Sequence, residues 1–125
     1  MRFLEELQMN ALPALQTILF DGWVLRFADG YTNRANSINP IYKSEKDVSY
    51  KIEMCEKLFQ DRGLKPVYKI TPYIFPETLD NLLEDRGYNI INKTSVQMLS
   101  LLDYKGTMEY AVTIKNSFNE KWFEY

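Results

Sequence analysis

The fold is decided by the stretch from Thr17 to Tyr42, which reads TILFDGWVLRFADGYTNRANSINPIY. Its first part, up to Ala28, alternates large apolar residues with other residues, as a half-buried β-strand does. Asp29-Gly30 then supplies a hairpin turn signal, because glycine takes positive φ without strain. A return strand over residues 31–42 completes the predicted hairpin.

Apolar periodicity and the positions of glycine and proline predict the elements around this hairpin. In chain order they are a helix over 3–11 that Pro13 stops, a helix capped by Ser44 or Asp47 that Gly63 ends, a buried strand over 67–71, a helix over 76–86 that Gly87 ends, and a long strand over 88–102. The second helix joins two predicted strands as a βαβ crossover. The sequence therefore predicts an α/β fold, a mixed sheet with flanking helices.

Composition excludes several classes of function. The chain has 125 residues, 15 basic and 17 acidic, with no histidine and one cysteine, Cys55. The absence of histidine excludes Ser-His and Cys-His nucleophiles and the commonest zinc sites, and we expect no metal-binding residues. The near-neutral charge argues against a nucleic-acid partner, and no apolar run reaches the ~20 residues of a membrane span. A lone cysteine points to a reducing compartment, so we expect a cytoplasmic protein without a membrane partner.

Two motifs carry a resemblance to a known superfamily. The order of elements, with Asp21-Gly22-Trp23-Val24-Leu25-Arg26 and Arg34-Ala35-Asn36-Ser37, resembles the N-terminal half of two-domain acetyltransferases of the Gcn5-related (GNAT) superfamily over residues 5–102. The resemblance implies a GNAT-like acyl-CoA N-acyltransferase architecture. It also implies that the complete protein moves an acetyl group from acetyl-CoA to an amine.

Two positions depart from the pattern of that family. The family holds the cofactor pyrophosphate on a glycine-containing loop before the crossover helix, whereas residues 42–48 here contain no glycine and place Glu45 and Asp47 there. The family's tyrosine general acid corresponds to Leu83, which cannot donate a proton. We therefore expect no catalytic and no cofactor-binding residue in this chain, with acetyl-CoA serving only the complete family protein. Lys43, Lys46 and Lys51 near this loop are interpreted as a solvated face, with a vestigial phosphate contact as the alternative.

The end of the chain reads as a separate segment. We predict a GNAT-like N-terminal domain over 1–104, followed by 105–125 as a linker and the truncated start of a second domain. Trp122, Phe123 and Tyr125 form an aromatic end that needs a partner surface, and we expect association through residues 107–125. The expected partner is the missing C-terminal GNAT half or a second copy in a homodimer.

A polar patch on the hairpin is the remaining candidate site. A two-residue turn at residues 29–30 would place Trp23 opposite Asn36 and Leu25 opposite Arg34, which puts Trp23, Arg34 and Asn36 on one face. The predicted substrate or interface patch comprises Trp23, Arg26, Arg34, Asn36 and Ser37. The alternative is that these residues decorate a half-exposed hairpin whose aromatic residues pack on the core.

Three functions remain open at this point. The first is a non-catalytic N-terminal part of a GNAT acetyltransferase, inactive alone. The second is a stand-alone dimerising or binding module with a degenerate GNAT fold and no catalysis. The third is an active single-domain acetyltransferase with an unusual loop.

Overall fold

A computed structural model describes residues 2–100 together with residues 102, 106, 116 and 117. The chain divides into two compact units, residues 1–90 and residues 91–125. Every helix and strand reported below lies in the first unit. The predicted domain boundary at 104 stays a prediction, and the predicted association residues Trp122, Phe123 and Tyr125 lie outside the described residues.

The first unit is a mixed α/β arrangement, as predicted. Its elements are α1 (Arg2–Ala11), β1 (Gln16–Phe20), β2 (Trp23–Phe27), β3 (Ser37–Asn39), α2 (Val48–Gln60) and α3 (Leu79–Asp85). The three strands form one antiparallel sheet in the order β1-β2-β3. The three predicted helices are confirmed, and Gly63 and Gly87 follow α2 and α3 with positive φ.

The tight hairpin turn lies earlier than the sequence predicted. β1 and β2 are joined at Asp21-Gly22, where both residues have positive φ, and Phe20 pairs with Trp23. The predicted turn at residues 29–30 instead belongs to the longer connection between β2 and β3. The two dipeptides are identical, and local turn chemistry does not say which of them joins two paired strands.

The register of β2 with β3 also differs from the prediction. Leu25 pairs with Ile38, and Arg26 pairs with Ser37. The predicted pairing of Leu25 with Arg34 was wrong, because residues 28–36 form a loop closed by the amide of Asn36. That amide accepts from the N–H groups of Ala28 and Gly30 and donates to the carbonyls of Ala28 and Thr32.

The predicted mixed sheet is not found in the part of the chain that the structure describes, because both strand pairings are antiparallel and the segment after α2 reaches β3 only through an isolated bridge. Ile38 in β3 forms a parallel bridge with Tyr68. The N–H of Ile38 donates to the Val67 carbonyl at 2.8 Å, and the N–H of Lys69 donates to the Ile38 carbonyl at 2.9 Å. Residues 67–71 therefore run beside β3 where the buried strand was predicted, with a single bridge in place of a full ladder.

The core lies on one face of the sheet, between the sheet and the helices α2 and α3. It contains the inward residues of β2 and β3, the apolar stripe of α2, one isoleucine from the connection between α2 and α3, and two leucines of α3, namely Trp23, Leu25, Phe27, Ile38, Ile52, Cys55, Phe59, Ile74, Leu79 and Leu83. The opposite face of the sheet carries Val24 and Arg26, both nearly fully buried. A central strand that is buried on both faces needs an element packed against each face. The Arg26 side chain, on the second face, donates to backbone carbonyls at the end of α1.

The strand predicted over 88–102 is not found in residues 88–100, which form neither helix nor strand. Ile91, Val96 and Leu99 in this segment are exposed. An alternating apolar pattern indicates a strand only when a neighbouring strand supplies the ladder hydrogen bonds. Within the residues that the structure describes, no helix is long and apolar enough to cross a membrane.

Candidate functional site

The loop between β3 and α2 is held by a carboxylate from elsewhere in the chain. Asp21, in the β1–β2 turn, accepts from the backbone N–H of Glu45 at 3.1 Å and from that of Lys46 at 2.9 Å. Neighbouring backbone N–H groups that converge on one point form an anion-binding concavity. The resemblance to acetyltransferases assigns a phosphate to this loop, and here an internal carboxylate lies on its N–H groups.

Lys51, in the first turns of α2, completes the surroundings of this carboxylate. Its side chain is fully buried, and its Nζ lies 2.5 Å from the Asp21 carbonyl oxygen and 3.3 Å from Asp21 Oδ2. The ammonium group also lies 4.2 Å from the centroid of the Trp23 ring. The sequence placed Lys51 on a solvated face, and this interpretation was wrong because the lysine is directed under the β1–β2 turn.

The turn that carries Asp21 is fixed against the same loop. The Gly22 carbonyl accepts from the N–H of Tyr42 at 3.0 Å. A Cβ atom on Gly22 would lie 2.2 Å from the Lys43 carbonyl oxygen, so only glycine permits this approach. The position of the carboxylate in the loop is therefore set by backbone contacts as well as by its own hydrogen bonds.

Electrostatics favour the ionised form of this carboxylate. The hydrogen bond from the Lys46 N–H lowers the pKa of Asp21 below its ordinary value of 3.8, assisted by the Glu45 N–H and the Lys51 ammonium and opposed by burial. Burial lowers the pKa of Lys51, and the Asp21 carboxylate partly restores it. The Lys51 Nζ and the Asp21 Oδ2 lie 3.3 Å apart, at the distance of an ion pair.

The resemblance to acetyltransferases places their tyrosine general acid at the position of Leu83. Leu83 packs in the core with 3% of its surface exposed. The neighbouring Tyr88 hydroxyl donates to Glu56 Oε1 at 2.9 Å, and burial together with this carboxylate raises the pKa of Tyr88. Burial also raises the pKa of the Cys55 thiol to about 12, which leaves it an inert core residue. No cluster of metal-ligating side chains is found among the residues described.

The predicted patch is brought together only in part. Arg26 and Ser37 are cross-strand partners on the outer face of the sheet. The Arg26 guanidinium donates to the Arg34 carbonyl at 2.6 Å, so that it ties the 28–36 loop to the sheet. Trp23 lies on the core face, where its Nε1 donates to the Phe75 carbonyl, and Asn36 is used to close its own loop. The prediction that Trp23, Arg34 and Asn36 share one face therefore fails, and the Arg34 side chain is exposed to solvent.

A cleft of about 700 Å³ lies between α1 and the outer face of the sheet. Arg26 forms its floor and donates to the Met9 and Leu12 carbonyls at the end of α1. Tyr42 and Glu6 line one side and are joined by a hydrogen bond of 3.0 Å. Arg26 thus caps the C-terminal carbonyls of α1, where a cation is favoured.

Comparison with known families decides the relationship of the chain. The family model described as "Probable histone acetyltransferase Rv0428c C-terminal" matches residues 1–125. The chain belongs to this family. The predicted relation to acetyltransferases is confirmed at that level. The corresponding comparisons with curated proteins and with solved structures found no match.

The residues of this member of the Rv0428c C-terminal family do not fit acetyl-CoA at the loop where the resemblance implies it. The pyrophosphate of that cofactor needs free backbone N–H groups, and those of Glu45 and Lys46 already donate to Asp21. A second anion there would meet the Asp21 carboxylate at short range, which is unfavourable.

From the sequence, Asp21 was not predicted as a site residue, and Lys51 entered only through the alternative of a vestigial phosphate contact. A signal for Lys51 was present, because it lies three residues after Val48 and four before Cys55, within the apolar stripe of α2. A charged residue inside such a stripe is buried only when it has a partner. Asp21 carried no comparable signal, since the turn alone accounts for aspartate before glycine.

Proposed function

We propose that this chain is the N-terminal, non-catalytic part of a GNAT acetyltransferase. The complete protein would move acetyl from acetyl-CoA to an amine in the cytoplasm, and this part would bind no cofactor. The family description refers to the C-terminal part of the protein for which it is named. That C-terminal part can itself consist of two GNAT halves. We propose that this chain is the first of these two halves.

One observation carries the proposal. The Asp21 carboxylate lies on the backbone N–H groups that would otherwise be free to bind a phosphate, with Glu45 and Lys46 as donors. The replacement of a proton-donating tyrosine by buried Leu83 supports the same conclusion independently. Loss of the anion site and of the acid together favours a part of the enzyme that no longer carries out chemistry.

The proposed role in the complete protein is to brace the catalytic half or to shape the acceptor site. The predicted patch contributes an exposed Arg34 side chain beside the rigid pair formed by Arg26 and Ser37. The partner in this reading is the C-terminal GNAT half. Because the buried guanidinium fixes both the end of α1 and the 28–36 loop, the patch is held by a preorganised support.

Calorimetric titration with acetyl-CoA tests this proposal. We expect no saturable heat with the chain as given and saturable binding with the complete protein. Glu45→Gln serves as a control for non-specific charge effects, because it removes one negative charge from the same loop and leaves Asp21 in place. Saturable micromolar binding by the chain alone would contradict the proposal.

The alternative is a stand-alone module that dimerises. The observation that favours it is an apolar stripe on α1, where Phe3 and Leu7 are 66% and 44% exposed and lie one helical turn apart. Sedimentation velocity separates the alternatives: a dimer that Phe3→Lys dissociates, while the same gain of charge at an exposed residue of the 28–36 loop, Asn33→Lys, leaves it intact, supports the module. A coding sequence that continues past Tyr125 into a glycine-rich phosphate loop supports the acetyltransferase part.

A further inference from the structure

The cleft between α1 and the outer face of the sheet contains a buried cation. Arg26, in the middle strand β2, lines the cleft and is only 5% exposed. Its Nη1 donates to the Arg34 carbonyl, and its Nη2 donates to the Met9 and Leu12 carbonyls. These three acceptors are neutral, so they satisfy hydrogen bonds without balancing the charge of the guanidinium.

Among the described residues, Arg26 and Lys51 are the two buried cations, and they differ in their partners. The Lys51 Nζ lies 3.3 Å from Asp21 Oδ2, whereas none of the ion pairs found among these residues includes Arg26. Burial lowers the pKa of Arg26, and no carboxylate in the described part of the chain offsets that effect. The guanidinium therefore lacks the anion that stabilises a buried cation.

The guanidinium also keeps a donor for a ligand. Its Nε has no hydrogen-bond partner among the described residues, where only Nη1 and Nη2 donate. Within the same residues, the Tyr68 hydroxyl is the one fully buried polar side-chain atom without a partner, so the Arg26 Nε is not sealed from solvent. Because Arg26 lines the cleft, an anion that enters the cleft can accept a charge-assisted hydrogen bond from it.

The walls of the cleft determine which kind of anion fits. Glu6 lines the cleft, and its Oε1 accepts from the Tyr42 hydroxyl at 3.0 Å and lies 3.5 Å from Arg2 Nε. A carboxylate at this position disfavours a ligand that carries two negative charges. The other walls favour an apolar body, because five of the lining residues are apolar, namely Met9, Pro13, Ala14, Leu19 and Val24.

We propose that the cleft between α1 and the outer face of the sheet binds a small monocarboxylate, whose carboxylate accepts from Arg26 and whose apolar body lies against the walls. The volume of about 700 Å³ is that of a small-molecule site. Contacts to the end of α1 and to the 28–36 loop hold the guanidinium in place before a ligand binds, which lowers the entropy cost of binding. The inference stands on the contacts in the cleft and does not depend on the proposed function.

Titration of the 125-residue chain with phenylacetate tests the proposal, with phenylacetamide as a neutral ligand of the same shape. NMR follows the Nε–H resonance of Arg26 and the backbone amide of Val24 near neutral pH, at an ionic strength held constant with chloride. We expect a saturable shift with phenylacetate, at a midpoint at least about tenfold lower than with phenylacetamide. Equal midpoints, or no saturable response to phenylacetate, would overturn the proposal. A response to inorganic phosphate as strong as that to phenylacetate would also overturn it, since the site would then not select a monocarboxylate.

Two neighbouring tryptophan substitutions locate the binding site. Ala14 lines the cleft, so Ala14→Trp should fill it and raise the midpoint for phenylacetate at least about tenfold. Leu15 is 77% exposed and is not a lining residue, so Leu15→Trp should change the midpoint by less than about twofold. Equal effects of the two substitutions would place the binding outside the cleft and count against the proposal.

Arg26→Met tests the role of the charge, because it removes the guanidinium and keeps an unbranched side chain. We expect this variant to bind phenylacetate and phenylacetamide with midpoints within about twofold of each other, read from the Val24 amide. A folded variant that still prefers phenylacetate about tenfold would contradict the role of Arg26. If loss of the hydrogen bonds to α1 unfolds this variant, the comparison of the two ligands on the wild-type chain and the tryptophan pair decide the proposal.

Discussion

Two Asp-Gly turns in this chain have similar backbones and different surroundings. Asp21 and Asp29 have φ of 43° and 49°, and the glycines that follow them have φ of 82° and 74°. At the first turn the carboxylate lies on the loop before α2 and pairs with a buried lysine. At the second, Asp29 is exposed, and the amide of Asn36 closes the loop instead.

The comparison shows that the same local signal gives the same turn but not the same role. An amide both donates and accepts, so Asn36 closes its loop without charge and leaves nothing for an outside ligand. A carboxylate only accepts, so Asp21 needs donors and a cation around it. The contacts around Asp21 therefore depend on its charge, whereas those around Asn36 do not.

The largest expected effect is that of an added methyl group at the first turn. Gly22→Ala should lower the free energy of unfolding by about 2–4 kcal/mol, because the Cβ atom meets the Lys43 carbonyl while positive φ adds its own cost. Gly30→Ala is the matched control: its Cβ meets only a Leu64 methyl group at 3.1 Å, which can move, so we expect about 1–2 kcal/mol. Urea unfolding measures both values, and equal losses would contradict the close contact at the first turn.

The next effect concerns the amide that closes the second loop. Asn36→Ala should cost about 1–3 kcal/mol, because it leaves the N–H groups of Ala28 and Gly30 and the Thr32 carbonyl without this partner. Asn33→Ala changes the same residue type at an exposed position of the same loop and should cost less than about 0.5 kcal/mol. A difference too small to measure between the two variants in urea unfolding would show that Asn36 does not organise the loop.

A smaller effect distinguishes the carboxylate of Asp21 from that of Asp29, and it is seen in how the stability of the fold depends on pH. The pKa of Asp21 is lowered in the folded chain, so its ionised form stabilises the fold above the ordinary value of 3.8, and this stabilisation is lost as pH falls through the lower folded value. Asp21→Asn should therefore be less stable than the wild type at pH 7, by a difference that shrinks as pH falls from about 5 to 2.

Asp29→Asn is the control for this measurement, because it changes the same residue type in a turn of similar backbone. Thermal unfolding at several pH values follows both variants. We expect Asp29→Asn to change stability by less than about 0.5 kcal/mol at pH 7. A difference for Asp21→Asn that stays constant down to pH 2 would contradict the lowered pKa.

The sequence predicted the helices well because their signals are local. Asp47 caps α2 by accepting from the N–H of Tyr50, and Gly63 and Gly87 take positive φ after the helices that they end. The pairing of β2 was predicted wrongly, since the choice between two identical dipeptides depends on contacts distant in sequence. Gly22 fits the first turn against Lys43, and no local pattern records that approach.

The sequence predicted only what the candidate site lacks. The missing glycines before α2 and the leucine at position 83 were visible in the sequence and remain consistent with the contacts found. The carboxylate that lies in the loop comes from a turn more than twenty residues earlier in the chain, Asp21 bonding to Glu45. Pairing of this kind is a tertiary contact, and periodicity and spacing carry no information on it.

The Asp21 carboxylate accepts from the backbone N–H groups of Glu45 and Lys46 in the loop before α2, and the site described above depends on this contact. A pH titration of the wild-type chain, in which the side-chain carboxyl carbon of Asp21 is followed by NMR, tests it most directly. We expect a midpoint below 3.8, with the amide resonances of Glu45 and Lys46 shifting at the same midpoint. A midpoint at or above 3.8, with no response of those two amides, would contradict it.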